Sequence, residues 1–120
     1  MEELVARLVA NVGVDKAAAE KAVGIILDFL KKEGPPDKVQ ALIDKLPGAE
    51  AAIAQQADAG GGMFSMGGLM GAGSKMMAAG LSMGQVQGVT KEVIAFAREK
   101  AGEDTVGEIV GAIPGLSQFV

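Results

Sequence analysis

The stretch Val39-Gln40-Ala41-Leu42-Ile43-Asp44-Lys45-Leu46-Pro47-Gly48 returns 67 residues later as Val106-Gly107-Glu108-Ile109-Val110-Gly111-Ala112-Ile113-Pro114-Gly115, with every apolar position and the closing Pro-Gly in register. Apolar residues at i, i+3, i+4 and i+7 form one stripe on a helix of 3.6 residues per turn, and proline, which has no N–H and clashes with the preceding turn, ends it. Each copy is therefore one amphipathic helix followed by a fixed corner. The offset holds on both sides: Gly13 matches Gly80, Phe29 matches Phe96, Asp37 matches Asp104, and Val14, Ile26 and Leu27 meet Leu81, Val93 and Ile94. Few identities in unbroken register are what an old duplication leaves. The reading is two copies, 1–53 and 68–120, joined by a Gly/Met-rich bridge at 57–67 and sharing one core in a single domain, 1–120.

Composition agrees with helices. Apolar residues make up 49% of the 120, carried by Ala, Val, Ile, Leu and Met, and the only aromatics are Phe29, Phe64, Phe96 and Phe119, too few aromatic and β-branched polar residues to favour strands. Net charge is −4 and the charges are interspersed, without the basic stripe a nucleic-acid binder needs. There is no cysteine, hence no disulfide framework. Glu2-Glu3 stand where a secretory leader would carry positive charge, so a cytoplasmic protein is expected.

In chain order the expectation is an all-α protein of about eight helices, two units of three helices and a short fourth. Residues 2–12 carry Leu4, Val5, Leu8, Val9 and Val12 on one face, and Gly13 supplies the left-handed exit. Asp15 is placed to cap a second helix running to about Glu33, with Lys31-Lys32 at the end where the dipole favours cations. Gly34-Pro35-Pro36 breaks the chain, Asp37 opens the third helix, and a short fourth spans about 49–56. The second unit starts with a helix at about 69–79, followed by Ser82-Met83-Gly84-Gln85, a capping-box pattern at the place matching Asp15. Gly84 and Gly88 lie four apart on the next helix. They either weaken its first turns, delaying it towards Thr90, or let another element approach closely.

From Val89 to Phe119 the chain resembles the C-terminal signature of the VcgC/VcgE-like family of uncharacterised bacterial proteins, and its Gly/Met-rich centre and N-terminal copy also fit that pattern. The resemblance implies the helical architecture. It carries no activity and no catalytic residues with it.

The distinctive centre, residues 59–77, resists several motif readings. Gly68 to Lys75 gives GxxxxG followed by Ser-Lys, the reverse of a phosphate-binding loop, with no apolar strand before it. Residues 59–74 are uncharged but hold seven glycines and fall short of the roughly 20 apolar residues of a membrane span. Methionines without a Cys or His make a poor soft-metal site, and no cofactor is expected. Met is an adaptable filler of cores and, on a surface, an adaptable contact for varied apolar partners. The candidate partner- or ligand-binding residues are therefore Met63, Phe64, Met66, Met70, Met76 and Met77.

Enzyme chemistry lacks its usual materials. His, Cys, Tyr and Trp are absent, and the carboxylates Asp104 and Glu108 are accounted for by a helix first turn. Two functions follow as expectations. One is a non-catalytic interaction or scaffold module that presents an apolar Met/Gly-rich surface to a protein partner or, as a homodimer, to a second copy. The other is a carrier that encloses a small apolar, lipid-like ligand in a closed pocket between the repeats.

Overall fold

The computed structural model describes residues 2–46, 48–59, 68–113 and 116–118. Among them the chain forms seven α-helices and no strand: α1 (Glu2–Asn11), α2 (Lys16–Glu33), α3 (Pro36–Asp44), α4 (Ala49–Ala59), α5 (Gly68–Ala78), α6 (Met83–Ala101) and α7 (Glu103–Ala112). A three-residue 3-10 turn at Leu116–Gln118 stands where an eighth helix was expected. The bridge expected at 57–67 begins later than that, because α4 continues to Ala59. The rest of it, with Pro47 and the Pro114-Gly115 corner, lies outside the described residues.

Helix α2 is the axis of the molecule. Every residue from Ala22 to Leu30 is buried, which an amphipathic helix with one apolar stripe would not show, because α1, α3, α4, α5 and α6 all pack against it. The one carboxylate drawn into this stretch, Asp28, pairs with Lys32 at 3.0 Å, one turn on. Helix α6 keeps the ordinary one-sided pattern, burying Val86, Val89, Thr90, Val93, Ile94, Phe96 and Ala97. Its Thr90 hydroxyl is satisfied inside the core by donating to the Val86 carbonyl at 2.8 Å. Buried residues of both halves, from Leu4 to Leu116, form one hydrophobic cluster.

The helices repeat at the spacing of the sequence. Shifted by 67, α1, α2 and α3 become 69–78, 83–100 and 103–111, within one residue of α5, α6 and α7 at each end. The packing also exchanges. Helix α1 packs on α2 and across on α6, α5 packs on α6 and across on α2, and α2 meets α6 as α3 meets α7. Gly13 and Gly80, again 67 apart, both take positive φ, +83° and +106°, where a side chain would be strained.

The caps of the two long helices differ. Ser82 accepts from the Gln85 backbone N–H at 3.3 Å while the Gln85 side chain accepts from the Ser82 N–H at 2.9 Å, so the capping box is complete. Asp15 occupies the matching place without a side-chain cap bond. Asp37 is in the first turn of α3, but Pro36 opens that helix, its missing N–H being one the helix could not have used. The glycines do not delay α6, which starts at Met83. A Cβ on Gly88 would come within 3.3 Å of the Val12 side chain, whereas one on Gly84 would meet nothing. The close approach is thus real at one of the two.

Candidate functional site

The largest hollow described is an open groove of about 570 Å³ between α1, the start of α2 and the start of α4. Its origin is the size of the side chains. Helix α1 turns Leu4 and Leu8 fully into the core, which leaves Val5, Ala6, Val9 and Ala10 along the flank that faces the groove. Helix α4 does the same with Ala49 and Ile53 inward, so that Gly48, Ala51 and Ala52 form the opposite wall. Alanine and glycine stop short of one another across the gap, and the space between the two backbones stays open.

The groove has an apolar floor and a charged rim. Val5 is buried, but Val9 is 41% exposed, so the stripe that the sequence puts on one face of α1 is only partly covered. Glu2, in the first turn of α1, and Lys16 and Glu20, one turn apart on α2, stand around the edge. Among the described residues none of the three is in an ion pair, in contrast to the charges on the other side of α1. There Arg7 binds Glu99 at 2.8 Å and Glu92 at 3.4 Å and lies 5.5 Å from the Phe96 ring centre, and Lys100 reaches the same ring at 5.3 Å. The Glu99 hydrogen bond holds the Arg7 guanidinium above its ordinary value, so it is a fixed positive charge. This side of α1 is a closed junction with α6, and the groove side is unfilled.

The residues singled out from the sequence are divided by the structure. Met76 is buried in the core at 1% exposure, and its neighbour Met77 is 48% exposed. Met70 is on α5, with its side chain outside what is described. Met63, Phe64 and Met66 lie outside the described residues. Met83, at the first position of α6, is the most exposed large apolar side chain described, at 61%. No reading of the sequence singled out the groove, because its signal is the pair of small-residue flanks Ala6/Ala10 and Ala51/Ala52, which in a chain this rich in alanine does not stand out. The groove also differs from the closed pocket between the repeats that a carrier would use, since all its lining lies between Glu2 and Ala52.

Among the described residues no helix is long and apolar enough to cross a membrane, and no three Asp or Glu side chains gather as metal ligands would. No family model, no curated protein and no solved structure matches the chain.

Proposed function

We propose that the chain is a non-catalytic interaction module of the cytoplasm, built from a duplicated three-helix unit, and that the groove between α1, α2 and α4 receives an apolar helix of a protein partner. The observation that carries this reading is the groove itself: about 570 Å³ with Val5, Val9 and alanine walls, open along its length and rimmed by charges with no partner in the fold. Small residues on both walls let a helix backbone come close, and larger side chains from the partner would fill the hollow, the usual way an amphipathic helix is held in a groove. The matched helix limits, the exchanged packing and the paired glycines at 13 and 80 support duplication, with halves 1–53 and 68–120 about a two-fold axis. The resemblance to the VcgC/VcgE-like family belongs to the same proposal and adds no activity to it.

A small apolar ligand is the second reading, favoured by a volume inside the range of about 300–1,000 Å³ typical of small-molecule sites. A photo-crosslinking residue in place of Ala51, on the groove wall, separates the two in the living host. The interaction reading expects a discrete polypeptide adduct from Ala51 and none from the same residue at Gly107, on the exposed face of α7. No adduct at Ala51, with a small apolar compound extracted from the purified chain, would replace it with the carrier. Equal adducts at both positions would remove the groove as the site.

A further inference from the structure

The large apolar side chains left exposed among the described residues are Val9, Met77 and Met83. Val9 belongs to the groove. The other two hold, in the second half, the places that Ala10 and Lys16 hold in the first, each 67 residues on. One structural place is thus a hollow lined by alanine in one half and a projection of two long flexible side chains in the other. The two places are neighbours. Gln85, two residues after Met83, donates its side-chain amide to the Gly13 carbonyl at 3.4 Å, and Gly88 lies under Val12, so the corner after α1 touches the corner that opens α6.

We infer that the occupant of the groove is a second copy of this chain, whose Met77 and Met83 enter it while its own groove receives the same pair in return. The inference rests on the groove being a docking site. Charge selects this pairing over the alternatives. Met83, Gln87 and Lys91 form one exposed stripe on α6, at i, i+4 and i+8, and its charge is positive. The groove rim carries Glu2 and Glu20 against Lys16. Groove against groove would oppose four carboxylates, and stripe against stripe two lysines, whereas groove against stripe brings unlike charges together. A two-fold axis through the contact satisfies both halves of it at once and closes the assembly as a dimer, the commonest symmetry. Methionine suits the hollow, since its unbranched thioether adapts to an irregular wall. The surface offered is small, so the dimer is a weak one, with a dissociation constant of about 10 μM to 1 mM.

Sedimentation equilibrium of the full chain from about 1 μM to about 1 mM reads the mass directly. The expected result is a monomer passing to a dimer and no further, with dissociation promoted by salt, because the rim contacts are screened. Ala10→Arg, which fills the groove, and Met77→Asp with Met83→Asp, which removes the projections, each weaken the dimer by at least about tenfold. Mixed one to one, the two variants associate again, since one keeps an intact Met pair and the other an intact groove. Lys91→Glu weakens the dimer without touching an apolar residue. Far-UV circular dichroism checks that each variant is folded, and the Met variant tests the contact independently should Ala10→Arg disturb α1. A monomer throughout, a mass that grows past the dimer, a dimer that survives both surface changes, or variants that fail to complement would overturn the inference. A monomeric chain that still gives an Ala51 adduct with a different polypeptide would overturn it while leaving the interaction module standing.

Discussion

Gly88 and Gly107 look alike in the sequence, each a glycine inside a helix, and the structure separates them. A methyl on Gly107 would meet nothing within 4 Å, while one on Gly88 would press on Val12 at 3.3 Å. Gly107→Ala is therefore expected to stabilise the chain by about 1 kcal/mol, the helix preference of alanine over glycine. Gly88→Ala gives up part or all of that gain to crowding at the α1–α6 junction, and urea denaturation of the pair measures the difference. Gly13→Ala and Gly80→Ala go the other way, by about 1 kcal/mol, because both positions hold positive φ even though space is open around them. A reader of the sequence could place Gly13 as a helix exit, because it follows an apolar run. Whether a mid-helix glycine is crowded depends on what another helix brings to it, and no local pattern records that.

Caps and junctions set the scale of the elements. Ser82 and Asp15 are equally good capping residues by type, yet only Ser82 makes its bond. Ser82→Ala is expected to cost about 1 kcal/mol and Asp15→Ala less than about 0.5 kcal/mol, by thermal or urea unfolding. The sequence located both helix starts within a residue, because the apolar period begins there. It could not decide between the caps, because a cap bond depends on the side-chain rotamer. The junction of α1 with α6 gives a second contrast. Phe96 is buried between two cations, and Phe96→Ala is expected to cost about 3–5 kcal/mol. Arg7→Gln, which removes part-exposed ion pairs to Glu92 and Glu99, costs about 1 kcal/mol or less, and less still in high salt. The pairing of Phe29 with Phe96 marked the ring as structural, but Arg7 and its acids are 85 and 92 residues apart and gave no local signal.

At the scale of the molecule, the 67-residue register read from Val39–Gly48 and Val106–Gly115 anticipated the helix order, and the structure adds how the halves face one another. Helix α2 is enclosed and α6 is not: α4 packs on α2, and the Leu116–Gln118 turn packs on α7. The side chains follow suit, since Gly24 and Ile25 are buried while Lys91 and Glu92, 67 residues on, reach solvent wholly or in part. The same inequality makes the candidate site. The wall that α4 gives the first half, together with the alanines of α1, leaves a groove there, and the second half offers Met77 and Met83 in the matching place. The methionine signal in the sequence therefore pointed to the right kind of surface at Met77 and to the core at Met76, because a helix turns consecutive residues about 100° apart and burial changes over that angle. The hollow could not be read at all, since it is made by what three helices leave unfilled.

The central claim is that this groove is where a polypeptide docks, and native mass spectrometry of the chain freshly purified from its host, beside Ala10→Arg purified in the same way, tests it most directly. The account predicts a second polypeptide, the same chain or another, bound to the native protein and absent from the folded Ala10→Arg variant. A native protein that is monomeric and bare, or a complex that Ala10→Arg leaves intact, would contradict it.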